Sequence, residues 1–346
     1  MKKNIYPSVS FAIATRNSQR TLQKCLDSIK EQVYSGKIEI VLADGGSNDD
    51  TLKIAKKFNA KIVPVDESKQ NAEYNKGIAV NQAKNDILVM IDHDNILPHK
   101  KWLQNMITPL LDDEEIFGSG VLKFHFDKKY SLIDRYSALL GGTDPVPFFF
   151  NKSAHQSYLF NNFHLRARLL KEESSYYKVK LNPQSLPALG GNGSVLRRKL
   201  LKLAKSSPEY FFHIDIHVDL AKKGYLSYAF VKDSIIHLTG NDFIPFLRRR
   251  RYFIEKYHFE DQSKRRYSIF NPKEDRVALI GFIIYSSTII LPLIDSIRGF
   301  IKLRDSAWFI HPIMCLGVLV VYGITSIKEV VKNVILAGKK SSYNRS

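Results

Sequence analysis

Four short apolar runs rich in β-branched residues, at 9–14, 38–43, 61–65 and 86–91, alternate with stretches that could each form one helix, and this alternation constrains the fold more than any other feature. Strands joined by helices imply an α/β domain with a mostly parallel sheet covered on both faces. In the first intervening stretch Leu22, Leu26, Ile29 and Val33 recur at spacings of three and four, which places them on one helical face. Sheets of this kind bind ligands beyond the carboxyl ends of their strands, so the residues just after each run are where chemistry is expected. Met1, Lys2 and Lys3 precede the first run as in a signal peptide, but the run is short and ends at Arg16 and Asn17 without a small-residue cleavage site; it reads as a first strand.

Two uncharged apolar runs lie near the other end, 277–294 and 306–327, each of a length that can cross a bilayer core as a helix. Between 245 and 304, 13 Lys/Arg stand against 6 Asp/Glu, an excess of 13 − 6 = 7 positive charges whose densest block is Arg248 to Arg251. The expected organisation is a catalytic domain at 1–244, a basic amphipathic juxtamembrane region at 245–276, two hydrophobic membrane helices at 277–327 and a basic tail at 328–346. The net charge of +18 favours anionic partners: nucleic acid, lipid headgroups or a phosphorylated substrate. Nucleic acid would use the many tyrosines and phenylalanines for stacking, but the long apolar segments and the absence of a known nucleic-acid module count against it. Cys25 and Cys315 are too far apart in sequence to read as a disulfide framework or zinc pattern, and a reducing compartment is compatible with them.

The sharpest local signal is Asp92-His93-Asp94, directly after the fourth run. Two carboxylates two residues apart at a strand end can hold one hard divalent cation, Mg²⁺ or Mn²⁺, although an isolated pattern of this kind is commonly a solvated turn. A second signal is Asp44-Gly45-Gly46-Ser47-Asn48-Asp49, past the second run, where glycines permit close backbone approach and Asp44 can accept hydrogen bonds from a base or ribose. An ordinary strand-to-helix turn capped by Ser47 or Asn48 is the alternative. The segment lacks the Gly-Lys-Ser/Thr ending of a P-loop, so ATP hydrolysis is not supported.

Taken in order, Ala14-Thr15-Arg16-Asn17, Asp44 to Asp49, Tyr74-Asn75-Lys76-Gly77-Ile78 and Asp92-His93-Asp94 resemble the motif series of family-2 inverting glycosyltransferases with the GT-A fold. That resemblance implies a Rossmann-like sheet flanked by helices, a nucleotide diphosphate sugar donor carrying UDP or GDP, and a divalent cation. It places donor binding on Thr15, Arg16, Asn17, Asp44, Gly45, Asn75 and Asp92, and the cation on Asp92 and Asp94. His237, in a strand-like segment, resembles a histidine that some relatives add as a metal ligand; a structural role is the alternative. Gly190, Gly191, Asn192 and Gly193 resemble the acceptor-side loop, and Arg248 to Arg251 lie where relatives carry arginines facing the diphosphate, Arg248 and Arg251 being the two expected to bind the donor, with a basic surface against anionic lipid as the alternative.

Relatives carry an acidic base about eleven residues before a Gly-Tyr, and here the segment before Gly224-Tyr225 departs from that pattern. Direct counting reaches His213, and a two-residue deletion reaches Asp215. Asp215 is expected to be the base, projecting into the cleft from the start of a helix while Asp219 faces solvent; His213 is the second candidate, and a helix-capping role for Asp215 is the alternative. The expected function is sugar transfer to a membrane-associated, lipid-linked acceptor in glycan or polysaccharide synthesis, at the cell membrane with the catalytic domain in the cytoplasm. A noncatalytic membrane scaffold of the same fold is the competing reading, disfavoured by retention of both Asp92 and Asp94.

Overall fold

The computed structural model describes residues 6–240, 242–271 and 274–343, with side chains as far as Ile335. Met1 to Lys3 and the end of the basic tail, 344–346, lie outside the described residues. The first half alternates as expected: β1 (Val9–Thr15), α1 (Gln19–Lys30), β2 (Ile38–Asp44), α2 (Thr51–Lys57), β3 (Lys61–Pro64), α3 (Ala72–Gln82), β4 (Ile87–Met90), β5 (Asn95–Ile96) and α4 (Trp102–Asp112). There follow β6 (Gly118–Phe124), α5 (Leu132–Leu140), α6 (Pro145–Phe149), β7 (Arg168–Glu172), β8 (Tyr176–Lys180), β9 (Ser194–Arg197), α7 (His213–Lys222) and β10 (Ser227–His237). Helices α8 (Phe243–Phe253), α9 (Arg276–Thr288), α10 (Ile290–Lys302) and α11 (His311–Tyr343) complete the order.

The strands form one sheet in the order β3-β2-β1-β4-β9-β6-β10-β8-β7, with β5 paired to β10. Pairing is parallel from β3 to β4 and between β6 and β10, but β9 enters antiparallel between β4 and β6, and β7 and β8 add an antiparallel edge. The sheet is therefore mixed rather than mostly parallel: the helical crossovers of the βαβ half and the long connection from β6 to β10 give parallel pairs, while β5, β7, β8 and β9 pair antiparallel. Strand β4, Ile87 to Met90, is buried throughout because it lies inside the sheet with helices over both faces. One core joins Leu22, Leu26 and Ile29 of α1 to Trp102, Leu103 and Met106 of α4 across β1 and β4. The other packs α3 and α7 against the opposite face through Ala79, Val80, Ile216 and Leu220. Val33 falls outside this face, since α1 ends at Lys30 and Val33 is exposed.

A third core, built from Tyr136, Leu139, Phe246, Phe282, Trp308, Met314 and Val318, joins α5 and α8 to the C-terminal helices. The expected boundary at 244/245 falls inside α8, and α11 runs well past residue 327. The first apolar run is not one straight helix. It breaks at Ile289, where φ is +59°, and α9 and α10 meet at 83°. Pro292 accounts for the break: in an unbroken helix its ring would meet the carbonyl of Thr288, whereas in the first turn of α10 it is tolerated. One apolar stretch, Ser306–Ile335, is long enough to cross a membrane, with 39% of its central window buried against the rest of the protein.

Candidate active site

The carboxyl ends of β1 and β4, the start of α3 and α8, and the loops after α5 and before β9 enclose a cleft of about 410 Å³. Thr15, Arg16, Asn75, Asp92 and Asp94 line it, as do Gly191, Asn192, His213 and His237. The strand-end rule thus located most of the site. Asp44 stands behind the wall: its carboxylate accepts from Thr15 Oγ1 and Ser47 Oγ and from the backbone N–H groups of Gly46 and Ser47, which shapes the turn beside Thr15. Asn17, at φ +48°, accepts from Asn48 N–H and donates its own N–H to Ser47 Oγ, bracing the same turn from outside the cleft. Gly45 is packed against Asn75 Nδ2 and Gln70, where a Cβ would sit 2.6 Å from that amide nitrogen.

The two carboxylates of the acidic turn face different partners. Lys76 Nζ meets Asp92 Oδ1 at 2.6 Å, while Asp94 Oδ2 lies 3.6 Å from His237 Nε2. The second pairing follows from β5 and β10, which run antiparallel with His237 opposite Asn95, one residue beyond Asp94. Burial opposes ionisation of Asp92, but Lys76 outweighs it and holds the carboxyl below its usual range. Asp94 is likewise driven low despite burial, chiefly by His237, and burial of His237 is outweighed by Asp94, which raises the imidazole. Asp94 Oδ1 and His237 Nδ1 are both buried without a hydrogen-bond partner. Each such atom is costly unless a ligand satisfies it, and a carboxylate with a nearby imidazole suits Mn²⁺ or Mg²⁺. Among the described residues no three His, Cys, Asp or Glu side chains are gathered as a complete cation cage. The residues thus fit a cation that takes its remaining ligands from substrate and water.

Arg248 and Arg251 do not reach the cleft; Arg249 and Arg250 do. The reason is helical phase, since Phe246, Arg249, Arg250 and Phe253 share the inward face of α8 while Arg251 turns out to pair with Glu255 at 2.7 Å. Arg250 lies 3.5 Å from Asp144, and its Nε is buried without a partner. Tyr322 of α11 donates its hydroxyl to the same Asp144.

Asp215 is the largest correction. Its carboxylate does not project into the cleft but is fully buried beneath the 265–267 segment, accepting from Arg265 Nε at 3.2 Å and from the backbone N–H groups of Arg266 and Tyr267 at 3.1 and 2.9 Å. Asp219 also turns inward to this segment, pairing with Arg266 at 3.0 Å. His213 opens α7 and faces the cleft, with Nδ1 2.8 Å from Glu73 Oε1. Gly190 and Gly193 are backbone devices rather than cleft lining: at φ +103° a Cβ on Gly190 would lie 2.4 Å from the His213 carbonyl oxygen, and one on Gly193 would meet Trp102 and Ile235. Glu73, Asp144 and His155 were not singled out from sequence; Lys76 entered only within the Tyr74 to Ile78 motif, and Arg249 and Arg250 only within the Arg248 to Arg251 block, from which the phase of Phe246 and Phe253 would have selected them. His155 lies under Phe124, and burial lowers its imidazole to about 4, so it is uncharged at neutral pH.

A mixed α/β sheet whose parallel half ends in the Thr15, Asp44 and Asp92 to Asp94 turns defines the GT-A class of nucleotide-sugar fold. Residues 10–176, just under half of the chain, match the family model described as glycosyl transferase family 2. A solved mannosyltransferase from Pyrobaculum calidifontis, PcManGT, in complex with GDP-Man and Mn²⁺, shares the fold at a TM-score of 0.51 and 15% identity, over 92% of this chain and 87% of that one. Among curated proteins, glycosyltransferase AglE of Haloferax volcanii is 26% identical over 137 residues, 38% of this chain and 45% of the relative. Glucosyl-3-phosphoglycerate synthase of Petrotoga mobilis is 29% identical over 129 residues, 35% of this chain and 39% of the relative. The matches thus span less than half the length of either curated relative.

Proposed function

We propose that this chain is an inverting glycosyltransferase that moves a sugar from a UDP- or GDP-linked donor to a lipid-linked acceptor at the membrane surface, in glycan or polysaccharide synthesis. The observation that carries the reading is that Asp94 and His237, each with one buried polar atom lacking a hydrogen-bond partner, line the same cleft as Arg249 and Arg250. Thr15, Arg16 and Asn75 border the nucleotide end, and the two arginines face the diphosphate. Asp94 and His237 would hold a divalent cation, which when bound neutralises charge developing on the departing diphosphate. His213 Nε2 takes the proton of the acceptor hydroxyl as its oxygen bonds to the anomeric carbon; the anomeric C–O bond breaks and its electron pair leaves with the diphosphate. Gly191 lies beside that nitrogen, since a Cβ there would be 3.5 Å from Nε2, and so leaves room for the acceptor to approach.

The finer membrane reading rests on α11. Tyr322 sits near the middle of the apolar stretch Ser306–Ile335 and binds Asp144, the partner of Arg250. Were α11 to cross the bilayer, that ion pair would lie near its midplane, where each charge costs about 2.5–3.5 kcal/mol. Ile313, Leu316, Val320, Ile324 and Ile327 are exposed on α11, and Ile280, Ile283, Ile284, Ile290 and Ile294 on the α9 to α10 elbow. These favour helices embedded in one leaflet with the basic surface at the headgroups.

The test is a screen of UDP- and GDP-sugars for thermal stabilisation with Mn²⁺ present, followed by transfer to polyprenyl-phosphate-linked acceptors. A donor at a hundred times its Kd stabilises by about 2.7 kcal/mol. Asp94→Asn and His237→Ala should lose Mn²⁺ binding measured directly by electron paramagnetic resonance, with the fold intact. Absence of stabilisation by every nucleotide sugar, together with absence of transfer, would refute the reading.

A further inference from the structure

Glu73 is a buried carboxylate at the start of α3 that does not cap its own helix; Asn71 does that, accepting from the N–H groups of Glu73 and Tyr74. It reaches instead across the cleft wall to α7, accepting from His213 N–H at 3.1 Å through one oxygen and standing 2.8 Å from His213 Nδ1 through the other. The approach is permitted by Gly77, where a Cβ would sit 2.7 Å from Phe211 and force α3 away from the chain leading into α7. Burial alone would raise the Glu73 carboxyl, yet His213 and Lys76 hold it below its usual range, so it is an anion at neutral pH.

Resting on the reading of His213 as the base, we propose that Glu73 is its positioning residue. A carboxylate against Nδ1 fixes the proton on that nitrogen and leaves Nε2, on the cleft side beside Gly191, as the acceptor of the hydroxyl proton. The two-point grip also fixes the ring plane, and the carboxylate stabilises the imidazolium that forms during transfer. A helix cap alone would need only the contact to the backbone N–H, and the second contact to the ring is what a cap does not explain.

The full-length protein in detergent, labelled with ¹⁵N-histidine, provides a readout separate from activity, because ring nitrogen shifts report the tautomer. Glu73→Gln keeps a carbonyl for the cap while losing the charge. It should reduce kcat by about 10²-fold or more, leave donor KM within about threefold, and lower the Nδ1–H share of His213. Glu73→Asp should recover part of both the rate and the tautomer. Wild-type kcat and tautomer in folded Glu73→Gln would overturn the role of Glu73. Wild-type turnover in His213→Ala would instead overturn the base itself, and the wild-type tautomer would still report whether Glu73 grips the ring.

Discussion

Replacing Lys76 by Met tests whether the acidic turn is built around an internal cation. Lys76 is almost wholly buried, with 4% of its side chain exposed, and its ammonium lies 2.6 Å from Asp92, whose side chain is 35% exposed. Burial alone would lower the lysine, but Asp92 and then Glu73 raise it, so one ammonium serves two carboxylates. Breaking a fully buried pair costs about 3–5 kcal/mol and breaking a solvated one about 0–1 kcal/mol. With Asp92 open to water over a third of its surface, a cost of about 2 kcal/mol follows. That corresponds to a fall in Tm of about 4 °C for a chain of this size. In a double-mutant cycle Asp92→Asn should return at least half of the loss, because it removes the carboxylate left without a partner. Melting curves of the four proteins without added metal measure this directly. A Lys76→Met protein as stable as wild type, or two substitutions whose costs simply add, would refute the reasoning.

Arg250→Ala should raise donor KM by about tenfold, the order expected for a lost charge-assisted contact to phosphate, whereas Arg248→Ala should change it less than about twofold. Equal effects in steady-state kinetics would mean that the inward face of α8 is not the donor wall. The pair of Lys152 Nζ and Asp275 Oδ2, at 2.5 Å with both side chains buried, gives a pH-dependent case. Burial pushes the Asp275 carboxyl up, but Lys152 and the Asn271 backbone N–H bring it below its usual range. Since the folded value is depressed, its contribution is complete above the unfolded value near pH 4 and is lost as pH falls through the folded one. Asp275→Asn should therefore melt below wild type at pH 7 by a margin that shrinks towards pH 3, and an unchanged margin would contradict the sign.

The strands and strand-end turns were legible in sequence because a strand imprints its period within a few residues, as in the runs that became β1, β2 and β4. What joins distant residues left no such imprint. The match of His237 to Asp94 depends on the register of β10 against β5. Family spacing reached His213 directly and Asp215 only through a two-residue deletion, the acidic side chain tipping the choice to Asp215, and only the fold reveals that backbone groups some fifty residues later enclose the aspartate. Glu73 reads in sequence as a routine first-turn acid, since nothing local announces its partner 140 residues away. The first apolar run had the composition of a span, yet Pro292, near its carboxyl end, ends one helix at Thr288 and lets the next begin at Ile290, making an elbow.

The link from Tyr322 through Asp144 to Arg250 gives α11 a duty beyond attachment. A hydroxyl of α11 holds the acid that seats a cleft arginine, so a version trimmed of its last helix for easier handling would lose a brace of the cleft wall. Anything that shifts α11 loosens the hold of Asp144 on Arg250.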